Sequence, residues 1–435
     1  MNTVRLANDR MKLFHFGADR IGLFNSVAGN LVMITPLIAE LIRIIVKPTR
    51  IADLDGHFNL GEGSFSELAT QLDKLKELGF VIDASGQLID EKLSLAETAS
   101  ICPPVKAFIF HVTQRCNLRC IHCYANAVSE CDDEDLNLEL IRSVIADYGQ
   151  MGGLSIDITG GEPLVRPDII EILQTARQER LHVRLLSNGE LLADEKIAHM
   201  VGKNTDEIII SLDGLKDTHD WIRNKSGQFE TVVKAVRQLV AMGYRVGITT
   251  LITYRSLAQL SEVAELLAAI GVEKWNLNLP RLVGRATVNN EICKRTLKVY
   301  FGNIQKTLGI IKQAYDIAED GKVKIMGELL MFPKKQRHAL DRSQDPLYGV
   351  YEEGRPCWNA TLCVFANGDI VPCLFFRELV YGNVKEMPLS ALYQSAAREA
   401  LLKAFGPQRP DQICPYLKGK ANTTKFQKAL RPFTK

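Results

Sequence analysis

Short apolar runs recur through the middle of the chain, at Ala107–Val112, Leu154–Ile158, Val183–Leu186, Glu207–Leu212, Val246–Ile252 and Lys274–Leu279. Between them lie stretches with helical spacing of apolar residues, such as Phe229–Ala241 and Leu260–Ala269. Strand then helix, repeated about six times, predicts parallel βαβ units and a sheet curling into a full or partial barrel. In such barrels the functional residues sit on loops at the carboxyl ends of the strands.

The flanks follow other rhythms. Met11 to Asn25 alternates around a Gly17-Ala18-Asp19 turn and predicts a hairpin. Two helical patterns follow, Thr35 to Val46 and Phe65 to Leu78, the second with Leu68, Leu72, Leu75 and Leu78 on one face. Phe80 to Asp83, a turn at Ala84-Ser85-Gly86 and Gln87 to Ile89 predict a second hairpin, so residues 1–95 read as a winged-helix-like module. Residues 96–300 form the barrel unit, 301–347 a helical linker ending in a polar stretch, and 348–435 a cysteine-bearing domain with a basic tail.

Composition narrows the function. In 435 residues, 53 Lys and Arg stand against 51 Asp and Glu, so no bulk charge draws the protein to nucleic acid or anionic lipid. The candidate recognition helix, Phe65 to Leu78, sets Lys74 and Lys76 against Glu67, Asp73 and Glu77, whereas a groove-reading helix is basic. The longest apolar stretch, Leu31 to Val46, is broken by Pro36, Glu40 and Arg43, which excludes a membrane span there. No secretory signal is visible, and ten cysteines without one point to the cytoplasm and to metal or redox chemistry.

The most informative cysteines follow the first barrel strand: Cys116, Cys120 and Cys123, spaced C-x3-C-x2-C. Three thiolates on one tight loop can wrap a four-iron cluster and leave one iron open to a chelating amine and carboxylate. A zinc knuckle that recruits His122 is the alternative. These cysteines match the radical SAM signature, and further stretches resemble that superfamily in order: Gly160-Gly161-Glu162-Pro163, Ser187-Asn188-Gly189, Ser211-Leu212-Asp213-Gly214 with His219-Asp220 and Arg223, and Gly284-Arg285-Ala286.

The resemblance implies a partial (β/α)6 TIM-type barrel holding a 4Fe-4S cluster on Cys116, Cys120 and Cys123. It also implies S-adenosylmethionine contacts from Gly160, Gly161, Glu162 and Pro163 (amino group), from Ser187 and Asn188 (ribose side), and from Ser211 and Arg223 (carboxylate side), with Asp213 also in the cofactor-binding set. The pair would generate a 5′-deoxyadenosyl radical that abstracts hydrogen from substrate, with electrons from a donor such as flavodoxin or ferredoxin.

At the carboxyl end, Cys357-x10-Gly368-x4-Cys373 resembles the opening of the SPASM signature, with Asn367-Gly368 suited to a tight hairpin. The chain departs from that pattern after Cys414, where no second cysteine follows. Cys357, Cys363, Cys373 and Cys414 then suffice for one auxiliary iron–sulfur cluster in the shortened, twitch-like manner, although Cys363 between Leu362 and Val364 also reads as a buried core thiol. Cys102, Cys131 and Cys293 match no motif.

A winged-helix-like module fused to such a barrel resembles the leader-recognition element of ribosomal peptide maturases. A precursor peptide receiving a thioether or carbon–carbon crosslink is the substrate expected. A radical SAM enzyme of tetrapyrrole (haem d1 or alternative haem) biosynthesis is the second expectation, maturation of a folded sulfatase the third, and a non-catalytic peptide-binding scaffold the alternative outside enzymes. The tail from Pro415 carries Lys418, Lys420, Lys425, Lys428, Arg431 and Lys435 and no acid, which suits a guide for an acidic leader.

Overall fold

In a computed structural model the described residues are 3–15, 21–58, 62–84, 95–99, 107–129, 135–327, 361–375 and 377–405. The amino-terminal part holds β1 (Thr3–Leu6), β2 (Met11–His15), β3 (Ile21–Asn25), β4 (Asn30–Ile34), α1 (Pro36–Ile44), β5 (Thr49–Arg50), α2 (Ile51–Phe58), α3 (Glu62–Glu77), β6 (Val81–Asp83) and β7 (Leu95–Ala99). Thr35 caps α1 by accepting from the Ile38 amide, and Pro36 sits where its missing N–H costs nothing. Ile38, Leu41 and Ile42 of that helix pack with Leu68, Leu72 and Leu75 of α3 into one apolar cluster.

The strands form two sheets, β5-β1-β6 and β4-β3-β2-β7. The expected β2–β3 hairpin is present, with Leu13 opposite Leu23. β6 pairs antiparallel with β1, and the return strand of the second expected hairpin, Gln87 to Ile89, lies outside the described residues. β7 pairs in parallel with β2, so the first unit extends past residue 95 to Ala99.

The central unit runs β8 (Ala107–His111), α4 (Leu138–Gln150), β9 (Ser155–Thr159), α5 (Ile169–Gln178), β10 (His182–Ser187), α6 (Glu195–Asn204), β11 (Glu207–Ser211), α7 (Lys216–Arg223), α8 (Gln228–Ala241), β12 (Val246–Leu251), α9 (Leu260–Ile270), β13 (Lys274–Asn278), α10 (Arg285–Val288), α11 (Asn290–Gly302), α12 (Ile304–Asp320) and β14 (Lys324–Gly327). All six anticipated strands are there. Beyond them lie β15 (Thr361–Val364), β16 (Asp369–Val371), β17 (Gly382–Asn383), α13 (Leu389–Tyr393) and α14 (Ala396–Phe405).

These strands make one sheet, ordered β14-β13-β12-β11-β10-β9-β8-β15-β16-β17 and parallel from β14 to β15. Two features correct the expected plan. The span 301–347 is not only a helical linker, since β14 adds a seventh parallel strand beside β13. The cysteine-bearing domain is not separate either, since β15 continues the barrel sheet alongside β8, with Cys363 opposite Ile109.

Strand alternation sorts the side chains by face. Phe108 and Phe110, Ile156 and Ile158, Val183 and Leu185, and Ile208 and Ile210 share a core with Ile141, Val144 and Tyr148 of α4 and Val232 and Val236 of α8. The intervening residues face the concave side, where Ile109, Leu186 and Ile209 sit among polar pairs: Arg184 donates to Asp157 at 2.6 Å, Lys274 reaches Glu207 at 2.9 Å, and Asn278 donates to Thr249 at 2.8 Å. A parallel sheet is ordinarily apolar on both faces, so these polar pairs set the concave side apart from a fully packed core.

The amino-terminal module is fastened to the amino ends of the strands. Arg10 makes a bidentate pair with Asp206 (2.6 and 2.7 Å) and donates to the Leu181 carbonyl. Lys12 donates to the Gly153 carbonyl at 3.2 Å, and His182 Nδ1 lies 2.8 Å from the Ser26 carbonyl. Phe14, Phe24 and Leu31 close over Leu154.

Candidate active site

The loop from Thr113 to Val128 leaves the carboxyl end of β8 and carries Cys116, Cys120 and Cys123. It is held from several sides. The Cys116 amide donates to the Val128 carbonyl, and the Ile121 amide to the Ile222 carbonyl. Arg285 donates through Nε to the Cys120 carbonyl (2.9 Å) and through Nη1 to the Ala127 carbonyl, while Asn289 donates to the Ile121 carbonyl (2.9 Å). Arg377, beyond β16, donates to the Ala125 carbonyl at 2.6 Å. The Gly284-Arg285 segment therefore serves here as a brace for the cysteine loop.

The Gly160-Gly161-Glu162-Pro163 stretch lies directly beneath. The Gly161 amide donates to the Thr113 carbonyl (2.7 Å) and the Glu162 amide to the Arg115 carbonyl (2.8 Å). A Cβ on Gly160 would fall 2.3 Å from the Thr113 oxygen, and one on Gly161 2.1 Å from the Arg115 oxygen, so only glycine permits this approach. The Glu162 carboxylate is buried and accepts from Ser187 Oγ (2.9 Å), the Asn188 amide (2.7 Å) and the Leu164 amide (3.2 Å). Burial pushes Glu162 up to about 7, against the hydrogen bonds from Asn188 and Ser187. With three donors already on it, the carboxylate mainly ties the ends of β9 and β10 together. Asn188 continues the chain of contacts, donating to Asn117 Oδ1 at 2.8 Å beside Cys116.

From β11, half-buried Ser211 leads to buried Asp213, whose Oδ1 accepts from the Leu251 amide and whose Oδ2 sits 2.6 Å from Arg223 Nη2. Although burial opposes it, Arg223 with the neighbouring histidines holds Asp213 below the usual carboxylate range. Arg223 Nη1 lies 3.8 Å from Cys120 Sγ, which places this guanidinium behind the cysteine loop, between Asp213 and the sulfur. His219 Nδ1 accepts from the Asp213 amide at 3.0 Å, and burial lowers both His219 and His122 to about 4, leaving them neutral. Sequence reasoning passed over Asn117, Asp135 and Arg377. Asp135 accepts from Thr113 Oγ1 (2.5 Å) and the Gln114 amide (3.0 Å), a contact across twenty residues that no local pattern announces.

The donor set fits an iron–sulfur cluster. Burial raises the Cys116 thiol to about 12 and also raises Cys120, against the pull of Arg223, so these two thiols stay protonated until a metal displaces the protons. Arg223 Nε and His122 Nδ1 are buried beside them without a hydrogen-bond partner. Three thiols on one loop suit a multi-iron cluster.

At the other cysteine set, the β15–β16 hairpin turns at Asn367-Gly368, with Gly368 at φ +96° and its amide bonded to the Phe365 carbonyl. Cys363 is buried against Phe365 and Val371, with Ile109, Leu374 and Val380 around them. Cys373 is half-buried just beyond β16. Cys357 and Cys414, and the basic tail, lie outside the described residues.

A partial parallel barrel with polar pairs on its concave side and a braced three-cysteine loop at the mouth of its first strand defines an iron–sulfur enzyme of the radical-generating class. The Radical SAM superfamily profile matches residues 110–267, and that of the SPASM iron–sulfur cluster-binding domain matches residues 357–415. A pre-heme d1 synthase of Dinoroseobacter shibae is 30% identical over 303 residues, 67% of this chain and 73% of that protein. The mycofactocin maturase MftC of Mycobacterium tuberculosis is 32% identical over 182 residues, 41% of this chain and 45% of its own. The crystal structure of Streptococcus suis SuiB bound to S-adenosylmethionine superposes with a TM-score of 0.59 at 14% identity, covering 93% of both chains. This chain belongs to the radical SAM superfamily. It is an enzyme that uses a 4Fe-4S cluster and S-adenosylmethionine, and its SPASM domain adds an auxiliary cluster. Among the described residues no helix is long and apolar enough to cross a membrane.

Proposed function

We propose that the substrate is a ribosomally made precursor peptide, which the enzyme modifies after abstracting hydrogen from an unactivated carbon, with a thioether or carbon–carbon crosslink as product. The observation that carries this reading is the amino-terminal module, whose two sheets and three helices are locked onto the barrel through Arg10, Lys12 and His182. A sheet edge on such a module suits capture of an extended leader as an added strand. The Streptococcus suis relative of similar length was crystallised with its precursor peptide, and the mycofactocin and subtilosin maturation proteins are among the relatives in sequence.

The cluster and S-adenosylmethionine supply, when bound, reductive cleavage of the sulfonium and a carbon-centred radical. The chain's part is to hold and shield them. In this reading Cys116, Cys120 and Cys123 ligate the cluster, and Gly160 to Pro163 keep the floor of the site tight against the loop. Ser187 and Asn188 face the ribose side, and Ser211, Asp213 and Arg223 fix the loop and the carboxylate side. Cys363 and Cys373, with Cys357 and Cys414, serve the auxiliary cluster. Electrons come from a flavodoxin or ferredoxin in the cytoplasm.

Co-expression with the product of a short reading frame beside the gene tests the substrate: a mass change in that peptide is expected. An unmodified peptide together with co-purified porphyrin would instead establish the tetrapyrrole reading, which the 30% identity to a pre-heme d1 synthase favours. Cys116→Ala should abolish 5′-deoxyadenosine formation under dithionite, and undiminished cleavage would overturn the radical assignment.

A further inference from the structure

A groove of about 910 Å³ opens on the carboxyl-end rim of the barrel, outside the cysteine loop, between α11 and the start of α12. One face of α11 supplies Glu291, Lys294, Arg295 and Lys298, and α12 adds Lys306. Four cations thus face one acid, and all four are exposed. Among the described residues no carboxylate lies in ion-pair range of Lys294, Lys298 or Lys306. Beside the charges, buried Leu257 and half-buried Ile310 give the groove an apolar floor, and exposed Val299 adds apolar surface at its edge.

At Tyr254 the groove meets a stack of rings and guanidinia. Arg295 stacks over Tyr254 at 4.2 Å, Tyr254 meets Trp221 edge-on at 5.9 Å, and Arg255 covers Trp221 at 4.2 Å. Trp221 lies two residues before Arg223, whose guanidinium touches Cys120. At the start of α11, Asn289 holds the Ile121 carbonyl of the cysteine loop. The eleven-residue reach from Glu291 to Gly302 spans about 16 Å of helix, the length of about five extended residues.

We infer that this groove seats an acidic-apolar segment of the substrate peptide, carboxylates on the lysines and apolar side chains on the floor, and so delivers the chain to the barrel. The inference rests on the peptide reading, and its occupant follows from charge complementarity: unpaired cations in an elongated, apolar-bottomed channel favour an anionic strand. The test uses anaerobically reconstituted full-length enzyme and a fluorescein-labelled peptide alternating Glu and Leu over eight residues, read by polarisation. Binding that weakens at least tenfold between 50 and 200 mM salt, and at least tenfold again in Lys294→Glu/Lys298→Glu, is expected. A Lys-Leu peptide should not bind. Iron content and circular dichroism of the variant verify that it is folded, and Lys294→Gln/Lys298→Gln, with a smaller loss, separates charge from shape.

Binding of the acidic peptide unaffected by either variant places its site elsewhere and overturns the groove while leaving the peptide reading intact. A carboxylated porphyrin that binds in place of the peptide, with affinity lost in the same variant, overturns the peptide occupant. Since neither result depends on a mass change in a native precursor, failure of the groove and failure of the proposed function are told apart.

Discussion

The two ends of this barrel are built on different physical terms. At the amino ends of the strands, charged side chains are spent on fastening: Arg10 and Asp206 are nearly buried and locked in a bidentate pair, and Lys12 is sealed against a carbonyl. At the carboxyl ends, Gly161, Asn188 and Asn289 share the fastening with the guanidinia of Arg285 and Arg377, which donate to backbone carbonyls of the loop that carries the three thiols. The contrast separates stability from reactivity within a single sheet. One end closes over its charged groups, and the other gathers its thiols on a loop braced from outside.

That division makes opposite demands on variants. Gly161→Ala should have the largest effect, because a methyl 2.1 Å from the Arg115 oxygen must push the cysteine loop aside. A displacement of this kind costs on the order of 100-fold in rate, so 5′-deoxyadenosine formation should fall at least that far with little change in thermal midpoint. Retained cleavage would break the division. Asp206→Ala should do the reverse. It strands a buried Arg10 and should cost about 3–5 kcal/mol in denaturant unfolding, while cleavage per cluster is retained.

Lys12 offers a subtler probe. Burial lowers it to about 8 from an ordinary 10.5, so between those values the unfolded chain binds more protons than the folded one. The penalty is complete below pH 8 and is relieved as pH rises through the window. Lys12→Met should therefore stabilise by roughly 1–3 kcal/mol at pH 7 and lose that advantage near pH 10. An advantage constant from pH 7 to 10 would mean that Lys12 is not buried as a charge. Smallest of all should be Glu162→Gln. Glu162 is held at about 7 against an ordinary 4.5, so its charged form costs stability as pH rises from 4.5 through 7. The variant should flatten that slope by at most one proton's worth, about 1.4 kcal/mol per pH unit between pH 4.5 and 7.

The barrel was legible because buried parallel strands are short apolar runs, and β8 to β13 fall within a residue or two of those runs. The cysteine loop was legible because ligand spacing is local. What escaped notice depends on distant partners. β14 is a strand because β13 offers it an open edge, not because Lys324–Gly327 alternates strongly, and although the β15–β16 hairpin was legible at Asn367-Gly368, its pairing with β8 was not. The helix α2, Ile51–Phe58, was missed although it carries Asp53 in its first turn. β4, Asn30–Ile34, follows a turn at Gly29 that a closer reading of Asn-Leu-Val-Met-Ile would have flagged. Arg223 was expected at the cofactor's carboxylate, and its pairing with Asp213 and Cys120 needs the fold before it can be seen.

Placement of the amino-terminal module has one more consequence. Strands β9 and β10 are five and six residues long, so about 17–20 Å of sheet separates the docking floor from the cysteine loop. If a leader is gripped at the far pole, at least six or so fully stretched residues must intervene before any side chain enters the barrel. The architecture then acts as a ruler, choosing its target by distance from the anchor as much as by chemistry.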